Sequence, residues 1–360
     1  MKKLYKAFFA DKTILITGHT GFIGSWLSIW LNELGANVIG YALKPHSQND
    51  NFVLAKLDEK ITSIIGDIRN YENIVQVFKK YSPEIVFHLA AQPIVRKSYE
   101  IPKETFDVNS GGTVNILEAF RKDNKSKVLV NVTTDKVYEN LEKINGYTEE
   151  DRLGGFDPYS YSKSCSEFIT YAYRRSYFNN ASNQKDVSSV RSGNVIGGGD
   201  WQVDRLIPDC MNAIKNETEI VLRNPKSIRP WQFVLEPIRG FLMLAKKMYE
   251  EKDKYSGSWN FGPGNDSLYS VEDIVKCLIN HSNKGQYCKS VQDHNDLHET
   301  KILVLDNSKA QKLLNWYPIL DFDKTIKLVC DWYFQEKIDY NFDVKQLNDY
   351  IKLVDKNNIW

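Results

Sequence analysis

Along the first half of the chain, apolar residues fall into two alternating patterns. Short β-branched and aliphatic runs at 13–17 (TILIT), 37–43 (NVIGYAL), 62–66 (TSIIG), 85–90 (IVFHLA), 127–134 (KVLVNVTT) and 187–191 (VSSVR) read as buried strands. Between them lie longer amphipathic stretches. Phe22–Leu34, stopped by Gly35, and Thr105–Arg121 read as helices. Asp157 followed by Pro158 reads as an N-cap and first-turn proline that open another helix. Strands alternating with helices predict an α/β fold, a doubly wound, Rossmann-type parallel sheet with right-handed crossovers. Beyond about residue 195 the pattern loosens: Gly197-Gly198-Gly199 is expected to be a flexible turn, and Ser258–Phe261 a late strand returning to the sheet.

Gly18-x-x-Gly21-x-x-Gly24 follows the first strand directly and opens the first helix. Glycines there allow a tight turn and a close approach of backbone to a pyrophosphate, while the helix N-terminus offers unpaired N–H groups. The spacing alone is weak; the strand–loop–helix context makes it a dinucleotide site. His19 is bulky for such a loop, and three fates are open: crowding the pyrophosphate, donating to it, or lying on the surface. The second strand ends in Tyr41-Ala42-Leu43-Lys44-Pro45, with no acid for the ribose hydroxyls. Lys44 suits a 2′-phosphate or plain solvent, and Asp67 is a partner for the adenine end. NAD and NADP both remain open on these residues. The expected division is a cofactor domain over 1–192, with a returning segment near 230–262. A smaller mixed α/β substrate domain, discontinuous, covers 193–360.

Tyr159 and Lys163 are four apart on the helix after Pro158 and share a face. A phenol is too weak a base at neutral pH, but an ammonium and a nicotinamide cation beside it favour the phenolate. Tyr99 and Lys103 repeat the spacing, with Pro102 interrupting. The fifth strand ends in Thr133-Thr134-Asp135-Lys136, at the sheet end where ligands bind. Thr134 is a donor for a substrate oxygen. Asp135 and Lys136 form a second acid–base pair that simple alcohol oxidation does not need.

Composition narrows the class. The 360 residues carry a net charge of +1, which provides no global attraction to nucleic acid or anionic membrane. No apolar run reaches a membrane span, and no signal peptide is evident. Five scattered cysteines without Cys-x-x-Cys argue against disulfides and against a zinc site, so no metal and a reduced, cytoplasmic setting are expected.

The glycine loop, His88-Leu89-Ala90-Ala91-Gln92, Asn109-Ser110-Gly111-Gly112-Thr113, the Tyr159/Lys163 pair and Arg191-Ser192-Gly193-Asn194-Val195 resemble the extended short-chain dehydrogenase/reductase family, in its nucleotide-sugar branch. The resemblance runs nearly the whole length. Thr134–Asn140, Leu153–Ser160, Gly197–Trp201, Asp204–Asp209 and Arg229–Gln232 are most similar to the members that dehydrate CDP-glucose.

The resemblance implies a redox-neutral hydro-lyase with recycled NAD. Its cofactor would lie on Gly18, His19, Gly21, Phe22, Ile23, Gly24, Asp67, Ile68, Leu89, Ala90 and Ala91, beside Tyr159 and Lys163. Tyr159 would take the O4 proton and Thr134 would bind O4. Asp135 would protonate the departing O6. Lys136, where dTDP-glucose enzymes carry glutamate, would take the C5 proton or steady the enolate. Ser98, Asn194, Arg205, Leu206, Arg229 and Trp231 would hold the substrate. A homodimer or homotetramer, pairing through the helix that bears Tyr159, is implied as well. The rivals are an epimerase or a dehydratase for another nucleotide, and a cofactor-binding module without catalysis.

Overall fold

The computed structural model describes residues 2–178, 185–264, 269–289 and 302–359. Its centre is a seven-stranded, all-parallel sheet: β1 (Thr13–Thr17), β2 (Asn37–Ala42), β3 (Thr62–Ile65), β4 (Ile85–His88), β5 (Val128–Val132), β6 (Asp186–Ser192) and β7 (Ser258–Phe261), in the order β7-β6-β5-β4-β1-β2-β3. The order reverses between β1 and β4, the switch point at which open α/β sheets bind ligands. Every expected strand is present, several one to three residues shorter, and Ser258–Phe261 does return, beside β6.

Alternation along the strands divides the core. Ile14, Ile16, Ile85, Phe87, Val128 and Val130 face one layer, which contains Trp26 and Trp30 of α1 (Phe22–Glu33). Leu15, Val86, Leu129 and Val187 face the other, formed by α2 (Tyr71–Tyr81), α3 (Gly112–Lys122) and α4 (Pro158–Tyr173). This is the period-two geometry of strands buried on both faces. The chain after residue 193 adds α5 (Leu206–Lys215), α6 (Leu235–Glu250), α7 (Val271–Ser282), α8 (Phe322–Tyr333) and α9 (Tyr340–Asn357). Of these, α6 and α9 join the α1 layer: Leu242 and Val354 share its core, and Trp30 meets Tyr350 edge-on.

Two local readings change. The expected helix 105–121 is built of Pro102–Phe106, a π turn over Asp107–Gly111, and α3. The wide turn sets Asn109 where its side chain binds the Gln92 backbone at 2.8 and 3.1 Å and the Ser162 hydroxyl at 2.8 Å. Gly197–Gly199 is a packed turn: a Cβ at Gly198 would lie 1.9 Å from the Trp332 ring, and one at Gly199 2.3 Å from Asn51. Among the described residues, no helix is long and apolar enough to cross a membrane.

Candidate active site

The carboxyl ends of the strands open into a cleft of about 1710 Å3. A single small ligand needs ~300–1,000 Å3, so this one has room for two. At its cofactor end the three glycines do different work. Gly18 has φ +78°, and a Cβ there would press to 2.8 Å on the Ala90 amide. A Cβ at Gly24 would lie 2.1 Å from the Gly18 carbonyl oxygen. The protein's own packing therefore demands these two. At Gly21 a Cβ would meet only the Gly18 oxygen, at 3.4 Å. Its bare face looks into the cleft at the start of α1, which has no side-chain cap. That cradle fits a pyrophosphate. Behind it, Thr17 Oγ1 sits 2.7 Å from His88 Nδ1 and accepts from the Leu89 and Ala90 amides at 3.1 and 3.2 Å, setting the loop that faces the cradle. Burial, and then the charge of Lys163, lower the His88 pKa to about 3.

His19 meets none of its three expected fates. Its side chain is fully buried, turned away from the cleft into the space that Gly40 leaves free: a Cβ at Gly40 would lie 2.3 Å from the imidazole. Its Nε2 lies 2.7 Å from the Ser63 hydroxyl and its ring packs edge-on against Phe52 at 5.2 Å. Burial lowers its pKa to about 4, so the ring is neutral. It is a plug beneath the loop. Phe22, Ile23, Asp67, Ile68, Leu89, Ala90 and Ala91 all line the cleft. The Asp67 carboxylate is held by Arg69, from Nε at 3.0 Å and Nη2 at 2.6 Å, while Lys44 stands exposed at the rim.

At the middle of the cleft four side chains lie in series. Tyr159 lies near enough to Thr134 for that hydroxyl to favour its phenolate, Thr134 Oγ1 donates to Asp135 Oδ1 at 3.0 Å, and Lys136 Nζ donates to the same oxygen at 3.3 Å. Asp135 is fully buried, and its Oδ2 has no partner. That oxygen fits only because residue 193 is glycine, where a Cβ would lie 2.4 Å away. Asp157 caps α4 by accepting from the Ser160 amide at 2.9 Å, which orients the helix. Lys163 lies under Tyr159 and donates to the Val132 carbonyl at 3.1 Å.

Burial pushes the Tyr159 phenol up to about 12, with the Thr134 bond and the Arg205 charge offsetting part of it. Burial lowers Lys163 to about 8, opposed by Glu167. A lowered phenol, expected from the Tyr–Lys spacing, is thus not what the chain's own groups produce. Desolvation outweighs them. Behind the series, Glu167 takes Arg191 at Nε and Nη2, both at 2.9 Å, along with the hydroxyls of Thr133 and Ser189. Arg191 in turn donates to Tyr138 at 2.7 Å, so a buried ionic lattice braces residues 133–138 from below.

The substrate end is assembled from distant pieces. Asn194, Arg205, Leu206, Arg229 and Trp231 line the cleft; Ser98 does not. Ser98 is fully buried and its hydroxyl donates to the Val95 carbonyl at 2.6 Å within its own helix turn, which removes it from the expected substrate set. Arg205 is held by the buried Asp200 at 2.8 Å. Asp204, at φ +62°, stands 4.0 Å from Arg96 and 3.5 Å from Arg223, joining the two walls of the cleft. Gly193, Asp200, Arg96, Asp204 and Arg223 escaped the sequence reading. Gly193, Asp200 and Asp204 sit inside motifs already singled out, whereas Arg96 and Arg223 have no local signature.

A family model described as GDP-mannose 4,6 dehydratase matches residues 15–329. CDP-glucose 4,6-dehydratase of Salmonella typhimurium is 45% identical over 332 residues, covering 91% of this chain and 92% of that protein. CDP-paratose 2-epimerase of Salmonella typhi is 25% identical, covering 89% and 98%. Among solved structures, dTDP-glucose 4,6-dehydratase from Streptomyces venezuelae, with NAD and TYD bound, superposes with a TM-score of 0.77 at 21% identity, covering 89% of this chain and 96% of that one. At that identity the likeness speaks for the fold.

Proposed function

The chain belongs to the GDP-mannose 4,6 dehydratase family, in the nucleotide-sugar branch of the extended short-chain dehydrogenases/reductases, and from that premise we propose that it converts CDP-glucose to CDP-4-keto-6-deoxyglucose and water with recycled NAD. The observation that carries this reading is the series Tyr159–Thr134–Asp135–Lys136, an oxidation base beside a hydroxyl that is itself bonded to an elimination pair. An epimerase needs no acid for a leaving hydroxyl. The choice of cytidine rests on the relative at 45% identity.

When bound, NAD would supply a hydride acceptor for C4 and later the donor to C6, and the loop Gly18–Gly24 would hold its pyrophosphate. The chain's own residues do the proton work. Tyr159 takes the O4 proton, its phenolate favoured by the charge of Arg205, while Thr134 donates to O4. The C4 ketone acidifies C5–H. Lys136 removes that proton and Asp135 protonates the departing O6, so water leaves. Lys136 then returns its proton to C5. The proton left on Tyr159 passes through Thr134 to Asp135, which restores every group. Arg205 and Arg229 offer planar forks suited to the diphosphate. Asn194, Leu206 and Trp231 complete the substrate wall.

We further place the enzyme in the cytoplasm as a homo-oligomer. All five thiols are free, and Tyr161, Phe168 and Tyr171 of α4 and Val114 of α3 are large apolar side chains left exposed. Mass spectrometry of CDP-, UDP-, dTDP- and GDP-glucose incubated with the protein and NAD tests the function. Loss of one water from CDP-glucose alone is expected. Loss from another nucleotide sugar instead would overturn the cytidine assignment. No mass change with any would overturn dehydration.

A further inference from the structure

The helix α7 begins with Val271 on the cleft wall and, further along, carries Cys277 and His281, four residues apart and therefore on one face. That face meets Asp323 in the first turn of α8. His281 Nε2 lies 3.0 Å from Asp323 Oδ1, and Cys277 Sγ lies 3.8 Å from the same oxygen. The three ligand atoms all fall within 4.8 Å of one another. Around a tetrahedral zinc ion, with bonds of about 2.0–2.3 Å, ligand atoms stand about 3.3–3.8 Å apart. The side chains are therefore already placed to within small rotamer changes of a metal cage. Among the described residues this is the one such group of histidine, cysteine and carboxylate.

We propose that Cys277, His281 and Asp323 form a binding site for one zinc-class ion that clips α7 to α8. Sulfur, imidazole and carboxylate together select zinc or cobalt over magnesium and calcium, which take oxygen ligands alone. The Asp323 side chain is 74% exposed, so water can reach a fourth position beside it. The reading of the scattered cysteines missed this site because it weighed only Cys-x-x-Cys pairs. The pattern here is a helical i, i+4 pair closed by a residue 42 positions away from His281. The ion stands apart from the proton chemistry: none of its three ligands lines the cleft, and neither helix contributes to the Tyr159–Thr134–Asp135–Lys136 series.

The test uses the full chain, freed of metal with a chelator and titrated with Co2+. Binding is expected at one ion per chain, with the visible bands of a tetrahedral site and a near-ultraviolet sulfur-to-cobalt charge-transfer band. Zinc should displace it. Cys277→Ser should remove the charge-transfer band. His281→Ala and Asp323→Asn should weaken binding by roughly tenfold or more, the scale already reached on losing a mere supporting contact. Dehydratase activity should be unchanged in all three variants. Absence of a charge-transfer band at stoichiometric Co2+, or the same spectrum from Cys277→Ser as from the parent, would overturn the site. A circular dichroism spectrum matching the parent's shows that a variant is folded, so loss of binding in it reports on the ligand.

Discussion

The stretch Val95–Phe106 and the helix Pro158–Tyr173 each carry a tyrosine four residues before a lysine, and the structure gives the two pairs different fates. On α4 the helix is continuous from its Asp157 cap, so Tyr159 and Lys163 stack on one buried face. Lys163 binds a strand carbonyl and Tyr159 reaches Thr134. In the other stretch Pro102 opens a new helix after Glu100, so the pair does not share one. Lys103 points outward to Asp107 at 2.5 Å, and the buried Tyr99 hydroxyl has no hydrogen-bond partner. Spacing proposes a pair. Helical continuity, a capped start and a strand end beneath it are what turn the pair into chemistry.

The largest effect should come from Tyr159→Phe, which deletes the base and leaves the cleft's shape. Turnover is expected to fall by ~10²–10⁴, the worth of a positioned acid–base group, with nucleotide binding by calorimetry unchanged. Survival of activity would return α4 to the status of the other stretch. Asp135→Asn should separate the steps: C4 oxidation proceeds and water loss stalls, so the absorbance of the reduced nicotinamide builds up with substrate. Equal loss of both steps would remove Asp135 from the elimination. Gly193→Ala sharpens the point from a distance, since its Cβ would displace the Asp135 carboxylate. Dehydration should fall by up to ~10²-fold with oxidation spared, as for an ångström-scale misplacement.

His19 concerns the support beneath the cradle, so its effect should be on stability. Its folded pKa of about 4 lies below the ordinary 6.5, so between these values the unfolded chain binds more protons. Stability from this group is fully present above about pH 6.5 and is lost as pH falls toward 4. His19→Leu should lower the melting temperature at pH 7 and flatten its fall toward pH 5 relative to the parent. It should not tighten NAD. A tighter complex, or an unchanged pH slope, would contradict the buried plug. The smallest effect belongs to Tyr99→Phe. Turnover should stay within about twofold, and removing an unpaired buried hydroxyl should cost nothing or stabilise by up to ~1 kcal/mol.

Much of the site was legible before folding was considered. The glycine loop, the Asp157–Pro158 helix start and the Thr134–Lys136 strand end announce themselves through local rules of turn, cap and strand, and each lies on the cleft. The misses were side chains whose direction depends on a neighbour far along the chain. His19 turns inward because residue 40 is glycine, and Ser98 is claimed by its own helix turn. Gly193 matters through Asp135, and Arg96 and Arg223 meet only across Asp204.

By itself the sequence determined the alternating elements, the parallel sheet, the phosphate cradle and which residue types stand at the strand ends. These follow from periodicity and short-range sterics, which act within a few residues. The tertiary structure alone decided which way His19 faces, that burial raises the Tyr159 phenol, that Glu167 and Arg191 brace the site, and that Cys277 and His281 meet Asp323. Each of those depends on the solvent and charges that packing brings to a residue, and packing joins positions that no local window contains.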